Sequence, residues 1–346
     1  MKRGVDKVSE YHSRGIDRRS FLQQAGVAAG GLWLGTGALL AGEPSTSGQL
    51  AKRVLGRTGV AVTTMTLGTA PCGFAKPHST KRVADCVNAA IDLGITAIDT
   101  APAYDIAEEG IGLALGRRRK EVFLSTKVLA DSVEEAEKIL ANSLRKLKTD
   151  YVDLLYFHQV GDRKVDIALD PEGVFTWLVK QKKAGKTRFV GISGHNRPGK
   201  FTRLLESGQC DVLLTVVNFV DRHTYKFEES VLPVAINHNV GVVAMKVFGG
   251  AKNMQYADPN SGAHLDPQYH ELAIRYALGV PGVATLNIGC ASVEQIRQDV
   301  AMVARWQPLS QEELASALAV GKELAAKWGT HFGPLARSGA VVPGRC

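Results

Sequence analysis

The sequence predicts a single (β/α)₈ barrel, and three observations support this fold class. Short, nearly continuous apolar runs rich in β-branched residues recur at intervals of roughly 30 residues, the length of one strand–helix–strand unit. Strands of this composition are typical of a parallel sheet that is buried on both faces. Segments with helix-starting residues separate the runs, and no Gly-x-Gly-x-x-Gly motif follows an early strand, which argues against an open Rossmann sheet.

Eight apolar runs are predicted to be the barrel strands. Eight is the number that a closed barrel of this kind needs, whereas an open Rossmann sheet usually has about six. The predicted strands cover residues 63–68, 95–100, 122–126, 152–158, 189–193, 212–218, 240–246 and 283–289.

The intervening segments carry helix-starting signals. Ser79 precedes a run whose apolar residues share one helical face, and Ser132 with Glu135 forms a capping box. Pro171 is predicted to begin the next helix. Each signal lies between two predicted strands, as a barrel of alternating strands and helices requires.

Two elements are predicted outside the barrel itself. Ahead of the first strand, the segment from Lys52 resembles a β-hairpin that turns at Thr58 and Gly59. After the last barrel helix, Ser310 and Glu313 form a capping box for a C-terminal helix outside the barrel. The predicted organisation is an export signal and linker at 1–45, the barrel at 50–306, and a C-terminal helix and tail at 307–346.

The N-terminus is predicted to be a targeting signal. Residues 17–22 read DRRSFL, and an apolar stretch follows at 25–41. A charged segment, an arginine pair and a modest apolar run are the layout of a twin-arginine (Tat) signal peptide. The stretch is interrupted by glycines and shorter than the about 20 residues that span a membrane, so no stable anchor is expected. We therefore expect export by the twin-arginine machinery, to the periplasm.

Composition excludes several classes of site. The net charge of +8 includes a basic run at 117–120, but no nucleic-acid-binding motif accompanies it. A solvated helix end is the expected role of that run. The five cysteines are scattered without a Cys-x-x-Cys pair, which predicts free thiols rather than disulfides or a metal site.

Polar residues stand at the ends of three successive predicted strands. Asp99, Lys127 and His158 lie at the carboxyl ends of strands two, three and four, and Tyr104 follows in the loop after strand two. The carboxyl end of the strands is where barrels of this type have their active sites. Taken alone, each residue has a structural explanation, such as helix capping or packing; together they indicate one site.

With these residues, the sequence resembles the aldo-keto reductase family. The resemblance covers residues 52–306 and includes LGTA, GITAIDTAPAY, STK, DLLYFH and VGIS. It implies hydride transfer between a nicotinamide cofactor and a carbonyl or alcohol substrate, with Tyr104 as general acid. Lys127 would stabilise the phenolate, Asp99 would orient Lys127, and His158 would hydrogen-bond the carbonyl oxygen.

The resemblance also implies a set of cofactor residues, with departures. Gly68 and Thr69 match the turn after strand one, and Ser193 matches the serine that contacts the nicotinamide carboxamide. The asparagine that usually follows is Gly194, and Met245 replaces an aromatic residue at strand seven. Further residues are implied at the ends of strands six to eight: Asn218, Lys246, Val247, Phe248, Gly249 and Gly289.

The last strand departs most from NADPH-dependent relatives. Ser292 begins the helix whose N-terminus favours anions, but Gln295 and Asp299 replace the usual arginine and asparagine. This change weakens an NADPH preference. The resemblance still implies NADP(H) slightly ahead of NAD(H), and no metal.

Two functions remain open. The first is an exported NAD(P)-dependent oxidoreductase acting on an aldehyde, ketone or sugar-like alcohol. The second is a nucleotide-binding module for sensing or assembly without turnover, as in channel-associated relatives of the family. The four matching polar residues favour the enzyme.

Overall fold

A computed structural model of the chain describes residues 49–250 and 263–335. Eight parallel strands close into a barrel, in the order β3 to β10 with β10 returning to β3, and an antiparallel hairpin of β1 and β2 precedes them. The predicted fold class is confirmed. The strands are β1 Lys52–Val54, β2 Ala61–Thr63, β3 Met65–Gly68, β4 Ala97–Asp99, β5 Phe123–Val128, β6 Val152–Phe157, β7 Thr187–Gly194, β8 Val212–Val216, β9 Gly241–Met245 and β10 Val283–Gly289.

Helices alternate with the barrel strands and surround them. Those within the described residues are α1 Ala70–Phe74, α2 Thr80–Asp92, α3 Ala107–Leu115, α4 Val133–Leu147, α5 Val165–Ala168, α6 Val174–Lys183, α7 Gly199–Glu206, α8 Arg222–Tyr225, α9 Phe227–Ser230, α10 Leu232–Asn237, α11 His270–Gly279, α12 Val293–Ala304 and α13 Gln311–Trp328. Short 3₁₀ helices cover Gly56–Thr58, Gly116–Glu121, Val160–Asp162 and Pro267–Tyr269.

The first predicted barrel strand is divided in two. Thr63 pairs with Lys52 in the hairpin, and the barrel strand begins only at Met65. The Thr63 hydroxyl donates to the Met65 carbonyl at 2.8 Å and stabilises the break. The hairpin can then carry Leu55 and Val62 into the interior at the N-terminal end of the barrel.

Two predicted helix starts are confirmed and one is wrong. Ser79 and Ser132 each accept a hydrogen bond from the backbone N–H three residues later, which is the geometry of an N-cap. The helix predicted from Pro171 begins instead at Val174. The reason is a turn around the proline, closed by Gly173, whose N–H donates to the carbonyl three residues earlier at 2.8 Å.

Alternate side chains of each strand point into the barrel. Tyr156 fills the centre of the interior, and Gly191 on the neighbouring strand leaves the space for its ring, since an added Cβ would lie 2.6 Å from the ring. Asp99 is the last residue of β4 and Lys127 is the last but one of β5, so both lie at the carboxyl end of the barrel.

The chain returns to that end after the C-terminal helix. The capping box of Ser310 and Glu313 at the start of α13 is confirmed. Beyond α13, the Phe332 carbonyl accepts from Asn196 Nδ2 at 3.0 Å, and the Phe332 N–H donates to Tyr225 Oη at 2.7 Å. The segment after the helix is therefore fastened across the loops that follow β7 and β8.

Several sequence predictions concern the chain as a whole. The four cysteines of the described residues are buried free thiols, as predicted. The predicted export segment and linker at 1–45 lies outside the described residues, as does the tail beyond 335. Within the described ranges, no helix is both long and apolar enough to cross a membrane.

Candidate active site

A cleft of about 700 Å³ opens at the carboxyl end of the barrel strands. One wall consists of the loops after β3 and β4, and the other consists of the segments after β7, β9 and β10. A second cavity of about 580 Å³ lies on the outer surface between α4 and α6, away from the polar strand ends. The chemistry therefore belongs to the cleft, whose lining includes Gly68, Pro71, Phe74, Asp99, Tyr104, His195, residues 245–250, His264, Asn287, Gly289 and Ala291.

Lys127 and Asp99 form a buried ion pair beside this cleft. Lys127 Nζ donates to Asp99 Oδ2 at 2.6 Å and to the Thr100 carbonyl at 2.7 Å. Ser125 Oγ donates to the other carboxylate oxygen at 2.7 Å. Burial lowers the pKa of Lys127, while the Asp99 charge opposes that shift. The carboxylate therefore both holds the ammonium in place and favours its charged form.

Tyr104 lies against this ammonium on the cleft wall. Lys127 Nζ is 4.8 Å from the centroid of the Tyr104 ring, and the Phe74 ring packs edge-on at 6.2 Å. Gly73 lets α1 approach, because an added Cβ would lie 2.2 Å from the Tyr104 carbonyl oxygen. A positive charge beside a phenol stabilises the anion that remains after proton donation. Tyr104 is thus placed to act as a general acid.

His158 completes the predicted catalytic set at the end of β6. Its ring is buried, and its pKa lies well below the usual value because of burial and the nearby positive charges of Lys127, Arg163 and Lys246. A neutral imidazole is the form that can donate one hydrogen bond without carrying charge. The structure therefore brings Asp99, Tyr104, Lys127 and His158 to one end of the barrel.

Six of the residues predicted for cofactor binding line the cleft. They are Gly68, Lys246, Val247, Phe248, Gly249 and Gly289. Gly249 has a φ of 84°, a left-handed conformation that favours glycine, and the Phe248 ring stacks on His270 at 4.1 Å. Burial lowers the pKa of Lys246 to about 7, with Asp221 opposing the shift. The segment after β9 is therefore one part of the wall that faces the loops after β3 and β4.

Ser193 and Thr69 are both buried, but their hydroxyls differ. Thr69 Oγ1 donates to the Asp99 carbonyl at 2.9 Å and fastens the first loop to β4. Ser193 Oγ is buried and has no hydrogen-bond partner among the described residues. A buried polar group without a protein partner is uncommon, and water, an ion or a ligand can take up its hydrogen bond. Ser193 therefore fits the predicted contact with a nicotinamide carboxamide.

The side chain of Asn218 has no hydrogen-bonding group left for the predicted cofactor contact. Its Nδ2 donates to Asp221 Oδ2 at 2.7 Å and to the Lys246 carbonyl at 2.9 Å. Its Oδ1 accepts from the backbone N–H groups of Val220 and Asp221. All hydrogen-bonding capacity of the amide is used within the protein. This placement favours a structural role over the predicted cofactor contact.

The residues predicted to bind the cofactor after the last strand also make hydrogen bonds within the protein. Ser292 Oγ caps α12 by accepting from the Gln295 N–H, and Gln295 Oε1 accepts from the Ala291 N–H at 2.7 Å. Asp299 is 8% exposed and accepts from the Cys290 thiol. Burial raises the pKa of Asp299 to about 6. Its carboxylate faces the protein rather than solvent.

Two cleft residues were missed by the sequence predictions. His195 follows the end of β7, and its pKa lies well below the usual value because of burial and the Lys246 charge. Asn287 projects from β10 and donates to Asp99 Oδ2 at 2.9 Å. His195 follows the buried Ser193 by two residues, and Asn287 follows the buried Thr285 by two residues. Because side chains alternate along a strand, this spacing is the sequence signal that identifies them.

Metal binding finds no support in this part of the molecule. Across residues 49–250 and 263–335, no three histidine, cysteine or acidic side chains are grouped to hold a metal ion.

Comparisons with known proteins agree with this arrangement. The aldo/keto reductase family profile matches residues 64–266. L-galactose dehydrogenase of Arabidopsis thaliana is 27% identical over 293 residues, which cover 75% of this chain and 90% of that protein. Pyridoxal 4-dehydrogenase of Microbacterium luteolum is 26% identical and covers 77% and 98%.

The fold has close counterparts among solved structures. An aldo-keto reductase from Klebsiella pneumoniae, solved in complex with NADPH, superimposes with a TM-score of 0.62 at 24% identity. The match covers 84% of this chain and 97% of that one. With the family profile spanning more than half of the sequence, this chain belongs to the aldo/keto reductase family and is an NAD(P)-dependent oxidoreductase.

Proposed function

We propose that this protein is an exported reductase or dehydrogenase that acts on an aldehyde, a ketone or a sugar-like carbonyl or alcohol. The observation that carries the proposal is the position of Lys127 Nζ, between the Asp99 carboxylate and the Tyr104 ring on the cleft wall. A proton donor with a buried cationic partner is what carbonyl reduction needs, because the product oxygen must receive a proton.

The cofactor supplies or accepts the hydride when it is bound. Ser193 would hold the carboxamide through its buried hydroxyl, the backbone of residues 247–250 would face the pyrophosphate, and the N-terminus of α12 at Ser292 would face a further phosphate. We propose NADP(H) slightly ahead of NAD(H). The inward-facing Asp299 supports this preference, since its carboxylate opposes a 2′-phosphate less than an exposed one would.

The residues of this chain would then act in defined roles. Tyr104 donates a proton to the carbonyl oxygen during reduction, and Lys127 stabilises the phenolate left behind. Asp99 keeps Lys127 charged and oriented. His158 donates a hydrogen bond to the carbonyl oxygen and fixes its direction. In the oxidation direction, the tyrosine accepts the proton of the alcohol.

The substrate class rests on relatives and on the polarity of the cleft. Relatives are named for the dehydrogenation of L-galactose and of pyridoxal, both polar compounds. The cleft of this chain likewise presents Tyr104, His195 and Lys246. A polar hydroxylated carbonyl compound is the class that these side chains favour.

Turnover measurements test the catalytic part of the proposal. The purified protein is assayed with NADPH and NADH against a panel of aldehydes, ketones and aldoses, and with the oxidised cofactors against sugar alcohols. We expect turnover with members of the panel. Tight nucleotide binding without any turnover would instead support the sensing or assembly module.

Fractionation tests export. The motif at 17–22, DRRSFL, supports the twin-arginine route. The double change Arg18→Lys with Arg19→Lys is expected to retain the protein in the cytoplasm with its activity intact. Arg14→Lys, outside the pair, is the matched control and is expected to leave export unchanged. Continued export of the double variant would refute this part of the proposal.

A further inference from the structure

The carboxylate of Asp99 receives a hydrogen bond from β10, which lies two strands away from β4 around the barrel. Asn287 Nδ2, on β10, donates to Asp99 Oδ2 at 2.9 Å. The same oxygen accepts from Lys127 Nζ, and Ser125 donates to the other oxygen. Asn287 therefore supplies one of the side-chain donors that hold the Asp99 carboxylate, and the Asp99 side chain is only 4% exposed.

This bond passes across an intervening strand. β10 pairs with β3, and β3 in turn pairs with β4, which carries Asp99. The position on β3 that separates the two side chains is Gly68. A Cβ added there would lie 2.6 Å from Asn287 Oδ1. The missing side chain of Gly68 thus leaves the space in which the amide reaches Asp99.

The amide has only one workable orientation. An ionised carboxylate accepts hydrogen bonds and donates none, so the NH₂ group must face Asp99. Asn287 Oδ1 is then enclosed against Gly68, where it is buried without a hydrogen-bond partner in the described part of the chain. Leaving an acceptor buried in this way is unfavourable. An apolar side chain would pack here without that penalty, so packing does not explain the asparagine.

We propose that Asn287 is a positioning residue that fixes the Asp99 carboxylate, and through it the contact of Lys127 with Tyr104. The inference rests on the proposed reductase function of the same site. Without the donor from β10, the carboxylate can turn about its side-chain bond, and the ammonium no longer has one set position against the phenol. The expected consequence is a lower kcat, with little change in cofactor affinity.

Asn287→Asp tests this role because it preserves shape and removes the donor. Two adjacent carboxylates resist double ionisation and share a proton as the pH falls, which restores a donor between them. The charged or titratable groups around the position are Asp99, Tyr104, Lys127, His158, His195 and Lys246, and the cleft lining adds Lys76 and His264. Since these are the same in both proteins, the ratio of variant to parent kcat isolates the new carboxylate.

We expect this ratio to be about 0.1 or less near pH 8 and to rise several-fold toward about pH 5.5, with the cofactor Kd within about two-fold of the parent value. Thr285→Val is the matched control. Thr285 lies two residues earlier on β10 and bonds Thr66 at 2.9 Å inside the barrel. Its kcat ratio to the parent is expected to be independent of pH.

A second readout needs no turnover. The melting temperature of Asn287→Asp is expected to fall below that of the parent at high pH, and the gap is expected to narrow as the introduced carboxylate takes up its proton. If the parent reduces no substrate, the proposed function fails, and the melting temperatures still test the contact with Asp99. The positioning role of Asn287 would be refuted by either of two results. One is a difference in melting temperature between Asn287→Asp and the parent that does not change with pH. The other is a ratio of variant to parent kcat near one at every pH.

Discussion

Lys127 Nζ lies 2.6 Å from Asp99 Oδ2, and the two side chains are 1% and 4% exposed. Burial lowers the pKa of Lys127, and the carboxylate counters that effect. Burying both charges costs a large part of their hydration free energy, and most of the attraction between them offsets that cost. Removing one partner is therefore expected to cost more than the pair contributes.

Lys127→Met is predicted to harm stability as well as activity. It leaves Asp99 charged and buried, which typically costs about 3–5 kcal/mol. Turnover is also expected to fall nearly as far as with loss of the tyrosine, because the phenolate loses its cationic partner. Urea denaturation measures the first effect. Adding Asp99→Asn is expected to recover part of the lost stability, and a single variant as stable as the parent would contradict the buried ion pair.

Ser193→Ala is predicted to weaken cofactor binding without weakening the fold. Ser193 Oγ has no partner among the residues that the structure describes, so its removal deletes no hydrogen bond within them. The lost bond to the cofactor is expected to cost about 0.5–1.5 kcal/mol, which raises the cofactor Kd roughly 2- to 10-fold. Fluorescence titration with NADPH measures Kd, and thermal melting without nucleotide measures stability.

Asn218→Ala is the contrasting variant. Its amide makes four hydrogen bonds within the protein, two of them to Asp221. Their loss is expected to lower the melting temperature of the nucleotide-free protein. If Asn218→Ala weakened cofactor binding with unchanged stability, its assignment as a structural residue would be wrong.

The sequence predicts the barrel well because its signals are local. Strand periodicity and the capping serines Ser79 and Ser132 depend on neighbours in the chain, and they recur in the structure. The site is harder to predict because it depends on contacts across the barrel. Nothing near Asn218 in the sequence shows that all the hydrogen-bonding groups of its amide are bonded within the protein. Nothing near Phe332 in the sequence shows that its ring lies 5.2 Å from the His195 ring.

Glu228→Gln is predicted to change the dependence of stability on pH. Burial raises the pKa of Glu228 to about 7, although Tyr276 donates to it at 2.6 Å and Arg222 lies nearby; Glu229 adds to the increase. Between its ordinary value of 4.5 and about 7, the folded state binds more protons than the unfolded state. Stability contributed by this proton is therefore lost as the pH rises through that window.

The glutamine variant is expected to lack this loss. Melting temperatures measured from about pH 4.5 to pH 8 should show the gap between variant and parent shifting in favour of the variant as the pH rises. Glu172→Gln is the control, since the Glu172 side chain is 93% exposed. If the melting temperatures of Glu228→Gln and the parent differed by the same amount at every pH in this range, Glu228 would be ionised across the whole range, and the prediction would be wrong.

Tyr104→Phe is the most direct test of the catalytic assignment. The change removes one hydroxyl and keeps the ring that packs against Phe74 and Lys127 Nζ, so the fold and the cofactor Kd should be preserved. The proton donor is lost, and general acid catalysis is typically worth about 10²–10⁴-fold. We expect kcat to fall by at least that order in steady-state assays. Tyr151→Phe, whose ring lies under Arg119 away from the cleft, should retain parental turnover. Near-normal turnover of Tyr104→Phe would mean that another group donates the proton.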